Sequence, residues 1–334
     1  MKIIQGGIRG MYLLSQNNLE EIEPVTFGEM NIQEKDIEEM LRQNIEIITD
    51  EEESLLIIGD QIKNKENSRS DLTALDQNGN IVLIEIKRDL KDIKQRVEAF
   101  EIQAIRYAAS YATIETISDA VNKIYAQYIN KHEEEFSKDL TYLNSDELAK
   151  RKIVQFLEVN KSLGNFNKSQ RIILVASDFD VQTLSAVAWL SENGVQIECY
   201  KLIPYVFNGS FIINAEKILP VTKNQAHFID IEDKQTLNSR KQAKNRSLPR
   251  LKEMIIWGVV QPGDIITPKN TDIKGTVLEN GLIKYGQEEK SLSLFVKEAL
   301  GWSSVKPYIL AIHEQTNKSL SQLRIEYMEK NNMI

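Results

Sequence analysis

The sequence predicts an α/β protein whose central mixed sheet is flanked by helices, followed by a small C-terminal α+β domain. Three observations predict this class. Residues 71–89 read as two strands around an Asn-Gly turn, and residues 171–202 read as strand, helix and strand, a unit that pairs its strands in parallel. Residues 234–252 contain seven Lys or Arg and no Asp or Glu, a composition typical of a linker between domains.

Composition limits the classes of function that the chain can serve. Its 334 residues with 42% hydrophobic content suffice for two or three domains, and the formal charge of −8 gives no overall basic surface for nucleic acid. A single cysteine, Cys199, excludes an internal disulfide framework, and the three histidines are too far apart to predict a zinc site. No apolar run approaches the roughly 20 residues that span a bilayer, so we expect a cytoplasmic protein without a membrane partner.

The first elements are predicted from caps and periodicity. Asn31 fits a helix cap, and the apolar spacing after it predicts a helix over 32–44. A strand over 54–62 follows, then a polar loop and the two strands of 71–89. Together they are expected to form a helix followed by a three-stranded meander.

An amphipathic stripe predicts one continuous helix over 93–111. Its members are spaced by three or four residues: Ile93, Val97, Phe100, Ala104, Ala108 and Tyr111. More helix is expected to about residue 160. In the strand, helix and strand unit, Asp180 is the predicted N-cap of the helix and Gly194 its predicted end.

The domain organisation follows from these elements. We expect four segments: an N-terminal strand or extension over 1–30, a folded core over 31–225, a basic linker over 226–252 and a small domain over 253–334. The last contains predicted turns at Pro262-Gly263 and Asn280-Gly281.

The hairpin register decides whether Asp71 and Glu85 can share a site, because side chains alternate faces along a strand. A two-residue turn at Asn78-Gly79 would put the two carboxylates on opposite faces. A three-residue loop with Gly79 in the left-handed conformation would set Asp71 opposite Glu85, with Lys87 on the same face. We expect the second register because it brings the three charges together.

Two neighbouring carboxylates repel unless a proton or a cation lies between them, and Mg²⁺ is a suitable cation because it prefers oxygen ligands. Lys87 could then hold a water or stabilise developing negative charge. This combination suits metal-assisted phosphodiester hydrolysis. The alternative is an ordinary ion pair between Glu85 and Lys87 at a strand end that reaches solvent, with Asp71 on an exposed edge.

Two helices supply further candidates. Gln103 and Tyr107 lie one turn apart, near the packing stripe, and are predicted to point towards the hairpin. Otherwise, Tyr107 is a partly buried tyrosine and Gln103 bonds to backbone. Glu34 and Glu38 are also one turn apart, and either could reach the site. Alternatively, Glu34 completes a capping box with Asn31 and Glu38 is surface charge.

These residues resemble the PD-(D/E)XK nucleases, and in particular the NucS-like endonuclease branch. The similarity runs from "EKDIEEML" through "SRSDLTALDQNGNIVLIEIKRD" to "EIQAIRYAASYA". It implies a restriction-endonuclease-like fold, Mg²⁺ or Mn²⁺ bound at Asp71 and Glu85 with Ile86 as a further metal ligand, and a lysine, Lys87, that assists hydrolysis. The helix glutamate then corresponds to Glu34, with Glu38 the competing choice, while Gln103 and Tyr107 match the auxiliary motif. Ser70 stands where the family pattern has proline.

The C-terminal segment resembles the RAMA domain, which is found beside restriction enzymes and DNA methylases. The similarity covers about residues 250–328 and includes the Pro262-Gly263-Asp264 turn, Ser291-Leu292-Ser293 and Trp302 in order. It implies a DNA-reading module, with Trp302 among its contacts, although a tryptophan here can equally be a core residue. In the linker, Lys241, Lys244 and Arg246 are expected to contact DNA phosphates, unless the linker is only a solvated tether.

Together the residues and the two resemblances predict a metal-dependent DNA endonuclease used in restriction or in defence against foreign or modified DNA. The chief alternative is a nuclease scaffold that binds DNA, or senses its modification, without cutting. A third is cleavage of RNA or of a branched repair intermediate, because such a site acts on phosphodiesters generally. The oligomeric state is left open, with a homodimer among the alternatives.

Overall fold

The structure is a computed structural model that describes residues 11–15, 18–50, 52–63, 69–95, 98–220, 248–331 and 333. These residues form two compact units. The first extends to Pro220 and also includes Gly301–Lys306, and the second holds the described residues from 248 to Leu300 and from Pro307 onwards. The basic linker, predicted over 226–252, lies outside the described residues up to 247.

The first unit is built on a six-stranded mixed sheet with the order β3-β4-β5-β6-β7-β8. The strands β3 to β5 are antiparallel, β5 to β7 are parallel, and β8 pairs antiparallel with β7. A separate hairpin, β1-β2, precedes this sheet. The strands are β1 (Met11–Ser15), β2 (Asn18–Ile22), β3 (Leu55–Lys63), β4 (Arg69–Asp76), β5 (Ile81–Lys87), β6 (Gln170–Ala176), β7 (Gln196–Phe207) and β8 (Ser210–Leu219).

Eight α-helices flank this sheet within the described part of the first unit. They are α1 (Glu34–Gln43), α2 (Leu90–Lys94), α3 (Phe100–Tyr111), α4 (Ile117–Ala120), α5 (Ala126–Lys131), α6 (Glu133–Leu140), α7 (Ser145–Val159) and α8 (Val181–Glu192). Short 3₁₀ turns lie at Ile45–Ile48 and Leu163–Asn165, and a π-helical turn at Val121–Tyr125 joins α4 to α5. The prediction of an α/β unit with a mixed, helix-flanked sheet is confirmed at this level.

The hairpin β4-β5 has the predicted register. Gly79 is left-handed at φ +91°, and Asp76 and Asn80 are joined by a hydrogen bond from Asp76 N to Asn80 O of 2.9 Å. The Asp76 carboxylate fixes the turn by accepting from the backbone N–H groups of Asn78 and Asn80 at 2.9 and 2.8 Å. Every residue of β5 is buried, so the charged end of this strand is inside the protein.

Two helix predictions need correction. The predicted helix over 93–111 is interrupted, because Ala99 is extended at ψ 141° and α3 begins only at Phe100, while Ile93 belongs to the separate α2. The first helix is capped at Gln33, not at Asn31, whose φ of +57° is left-handed.

The caps predicted for the strand, helix and strand unit are confirmed. Asp180 Oδ1 accepts from Thr183 N at 2.8 Å at the start of α8, and Gly194 follows the end of this helix at φ +89°.

The second unit contains a small antiparallel sheet with the order β12-β11-β10-β9-β13-β14 and four helices, as the α+β prediction requires. The strands are β9 (Ile265–Pro268), β10 (Gly275–Val277), β11 (Ile283–Tyr285), β12 (Glu288–Lys290), β13 (Ala311–His313) and β14 (Lys318–Ser319). The helices are α9 (Leu251–Ile256), α10 (Leu292–Leu300), α11 (Pro307–Leu310) and α12 (Leu320–Lys330). Gly263 and Gly281 both have positive φ in the predicted turns.

In neither unit do the described residues include a helix of the length and apolar character that crossing a bilayer requires.

Candidate active site

The polar groups at the end of β5 converge on one ammonium. Lys87 Nζ donates to the main-chain carbonyl of Ile86 and lies 3.7 Å from Glu85 Oε1 and 3.9 Å from Asp71 Oδ2. Asp71 comes from β4, and its Oδ2 accepts from the Ile86 N–H at 2.7 Å. Glu85 and Lys87 are 1% and 2% exposed, so these charges are held together in a medium that strengthens their interaction.

Glu34, at the start of α1, completes the group around Lys87. Its Oε1 accepts from Lys87 Nζ at 2.9 Å, and its side chain remains 40% exposed, so this edge faces solvent. The capping-box alternative for Glu34 is wrong, because Gln33 N instead donates to Asp36 Oδ2 at 2.8 Å. The turn that leads into α1 is anchored at the N-cap of α2: Asp89 accepts from the backbone N–H of Gly28 at 3.0 Å.

Glu38, one turn further along α1, lies beside Asp71 and not beside Lys87. It is buried, and Gln61 Nε2 donates to its Oε2 at 2.6 Å. Burial, followed by the charge of Asp71, raises the pKa of Glu38 to about 7. The surface-charge alternative for Glu38 is therefore wrong, and the two helix glutamates contact different members of the site.

Helix α3 covers the lysine. The ring of Phe100 lies 5.7 Å from Lys87 Nζ, a cation–π contact, and Gln103 and Tyr107 follow it by one and two turns. Gln103 is half-buried and Tyr107 is 4% exposed, so neither faces bulk solvent. That both point towards the hairpin stays a prediction.

Tyr111, at the end of α3, was predicted only as a packing residue, yet its hydroxyl is hydrogen-bonded to Ser70 Oγ and Thr73 Oγ1, each at 2.6 Å. Burial raises the pKa of Tyr111 to about 12, and the charge of Glu85 adds to this rise. The phenol therefore stays neutral and joins α3 to β4 beside the site. Ser70, the residue just before Asp71, supplies one of these bonds.

Sequence reasoning missed Gln61, which bridges Glu38 and Asp71 with bonds of 2.6 and 3.4 Å from one amide nitrogen. The signal in the sequence was its position two residues after the strand-interior glycine Gly59, since such a glycine marks a bulge or a close backbone approach.

The donor set fits a hard divalent cation of the Mg²⁺ type. The described residues contain no group of three or more His, Cys, Asp or Glu side chains arranged to hold a metal. Two carboxylates, Asp71 and Glu85, and the carbonyl of Ile86 are nevertheless all oxygen donors. Mg²⁺ is commonly bound by one or two carboxylates together with waters and substrate phosphates, so a larger cage of side chains is not required.

The described part of the chain does not place the residues predicted to bind DNA at this site. Lys241, Lys244 and Arg246 lie outside the described part of the chain. Trp302 is 5% exposed and packs edge-on against Phe156 with ring centroids 4.7 Å apart, both within the first unit. The structure agrees with the alternative that Trp302 is a core residue, because a buried ring is not available for stacking on a base.

Comparisons with protein-family models, with curated proteins and with solved structures found no match to this chain.

Proposed function

We propose that the chain is a Mg²⁺- or Mn²⁺-dependent endonuclease with a restriction-endonuclease-like core of the PD-(D/E)XK type. It hydrolyses DNA phosphodiester bonds in the cytoplasm, in restriction or in defence against foreign or modified DNA. The observation that carries the proposal is the convergence of Asp71 Oδ2 and Glu85 Oε1 on Lys87 Nζ, at 3.9 and 3.7 Å. The predicted hairpin register is what makes this convergence possible.

The burial of the group favours a site over an ordinary ion pair. A strand-end pair that reaches solvent would be exposed and would contribute about 0–1 kcal/mol. Here the Lys87 ammonium has oxygens of four residues around it, and only the Glu34 side faces solvent. Burying so many charges is costly unless they are paired or bind a metal, so their retention favours a chemical role.

Each residue has a role in the proposed hydrolysis. Asp71, Glu85 and the Ile86 carbonyl would hold the divalent ion, which supplies Lewis-acid polarisation of the phosphate. Lys87 would hold the attacking water and stabilise negative charge as it develops on phosphate oxygens. Glu34, which accepts from Lys87 Nζ, orients the ammonium.

We assign the second unit the role of a RAMA-like reader of DNA, and the basic linker that of a phosphate contact. Lys241, Lys244 and Arg246 lie in a stretch, residues 234–252, that has seven Lys or Arg and no Asp or Glu, a local basic charge in a chain whose formal net charge is −8. Base or modification preference then belongs to the reader, because phosphate contacts carry no sequence information.

The test is incubation of the full-length protein with a panel of DNAs, each with Mg²⁺ or Mn²⁺. The panel contains unmodified, methylated, mismatched and single-stranded DNA, with a structured RNA as a further substrate. Cleavage that requires the metal and is lost in Asp71→Asn is expected. Binding without cleavage of any member would favour the inert scaffold. Cleavage of RNA alone would show that the substrate is RNA and not DNA.

A further inference from the structure

We infer that Gln61 is a positioning residue of the site: its amide holds the Asp71 carboxylate in the orientation that binds the metal. This inference rests on the proposed function. Gln61 Nε2 donates to Glu38 Oε2 at 2.6 Å and approaches Asp71 Oδ1 at 3.4 Å. One side chain of β3 thus joins a carboxylate of α1 to a carboxylate of β4.

An uncommon backbone conformation directs the Gln61 side chain towards these carboxylates. Gln61 has a φ of +50°, a left-handed conformation that a non-glycine residue adopts only where the surroundings enforce it. The register of β3 on β4 shifts between Ile57 and Gly59, after which Asp60 pairs with Leu72. Such irregularities bend a strand and redirect a side chain, and they are common beside active sites.

The residues before Gln61 are held firmly enough to maintain this conformation. A Cβ at Gly59 would lie 2.7 Å from Ile124 Cγ2, so only glycine lets the π-helical turn at Val121–Tyr125 pack this closely. Asp60 is bonded to Lys131 Nζ at 2.6 Å and to His132 Nε2 at 3.1 Å. The Asp60 side chain is therefore fixed from α5 and its C-terminal cap, while the next residue in the strand bonds to the site carboxylates.

The two oxygens of Asp71 are bonded by different groups. Oδ2 accepts from the Ile86 N–H at 2.7 Å and lies towards Lys87, whereas Oδ1 lies towards Gln61. With both ends of the carboxylate restrained, its plane is fixed. Groups that orient a metal ligand from outside typically contribute a factor of about 10–100 to metal affinity or activity.

The test compares Gln61→Gly and Gln61→Met in the full-length protein. Both remove the amide, but glycine relaxes the left-handed backbone and methionine retains its strain. Relative to the wild type, the glycine variant should therefore gain thermal stability and the methionine variant should lose it. We expect both to bind Mn²⁺ about tenfold more weakly than the wild type by titration calorimetry. Saturating Mn²⁺ should restore most of the DNA cleavage rate, because a positioning residue acts through the ligand.

Unchanged Mn²⁺ affinity in both variants would overturn the inference and leave Gln61 a structural partner of Glu38. Wild type and Asp71→Asn are titrated alongside. If the wild type binds Mn²⁺ and Asp71→Asn does not, the proposed metal site stands, and the Gln61 variants decide the inference alone. If neither binds Mn²⁺, the metal site of the proposed function fails, and the role of Gln61 fails with it.

Discussion

Asp71 on β4 lies directly opposite Glu85 on β5, in the register set by the neighbouring pair Leu72 and Ile84. Residues opposite each other in an antiparallel pair have Cβ atoms roughly 4.5–5.5 Å apart, and like charges there destabilise a sheet. The Lys87 ammonium offsets this repulsion from the same face. Removing any one of these three charges should therefore lower the stability of the protein, and each removal should have a different measurable effect.

Neutralising either carboxylate should abolish cleavage. Asp71→Asn and Glu85→Gln each remove a ligand charge at nearly constant volume, so we expect a loss of at least about 100-fold in rate and in Mn²⁺ affinity. The free energy of unfolding should fall by only about 1–3 kcal/mol, because the other acceptors of Lys87 remain. Cleavage rates, calorimetry and denaturant unfolding measure the three effects. The matched control is Glu115→Gln at an exposed position, and unchanged cutting by either site variant would place the chemistry elsewhere.

Replacing the lysine should separate metal binding from turnover. Lys87→Met keeps the apolar stem but leaves Glu34, Glu85 and Asp71 without their ammonium, so cleavage should be lost and the unfolding free energy in EDTA should fall by about 3–5 kcal/mol. Adding Mg²⁺ should raise the melting temperature of this variant more than that of the wild type, because a bound cation offsets the same repulsion. Lys91→Met, at an exposed position on α2, serves as the control. Wild-type turnover in Lys87→Met would refute the role of the lysine.

Adjacent glutamates on α1 should respond to pH with opposite signs. The pKa of Glu38 is raised by burial and by Asp71 to about 7 from its ordinary 4.5, so between these values the folded state binds more protons than the unfolded state. The stability that Glu38 contributes therefore falls as pH rises from 4.5 to 7. Glu38→Gln should stabilise the protein at pH 8 by on the order of 2 kcal/mol, and by much less at pH 5.

Glu39 supplies the matched control for that measurement. Its hydrogen bond from Arg42 lowers its pKa, so its contribution is present above the ordinary carboxyl range and is lost as pH falls. Glu39→Gln should therefore destabilise the protein at pH 8 and have little effect in acid. Denaturant unfolding of both variants at pH 5 and 8 gives the comparison. A stabilisation by Glu38→Gln that is equal at the two pH values would show that its carboxyl is not shifted.

The local features of the site were predictable from sequence where one turn or one strand decides them. Gly79 and the short polar side chains around it specify the loop, and the loop specifies which faces Asp71 and Glu85 share. The buried strand β6 and the caps of α8 were likewise local. The break before Phe100 was not predicted, because the apolar stripe continues in the sequence across an extended Ala99.

Features that depend on packing between distant elements could not be predicted from the sequence. Glu34 and Glu38 are one turn apart on the same helix, and only the position of α1 against the sheet decides that the first bonds Lys87 and the second bonds Gln61. The left-handed Gln61 depends on the fit of Gly59 against Ile124, which lies far along the chain. No local pattern encodes such a contact.

The linker should bind DNA without distinguishing sequences, and point variants of the full-length protein are the way to test it. Truncation near residue 235 would also remove Trp302, which packs on Phe156 in the first unit, so its loss would confuse instability with weaker binding. Replacing Lys241, Lys244 and Arg246 with Ala should instead weaken binding to modified and unmodified duplexes alike. The slope of log affinity against log salt should become shallower by up to about 2.7, since each phosphate contact contributes about 0.9.

The control for the linker variant removes the same charge from another part of the chain. Lys150, Lys161 and Lys168 are exposed lysines of the first unit, and replacing them with Ala should leave the salt slope closer to that of the wild type. Binding of both triple variants to each duplex is measured across one salt series. Equal slopes for the two would show that the linker adds only net charge, and a change in the preferred duplex would show that it reads the DNA itself.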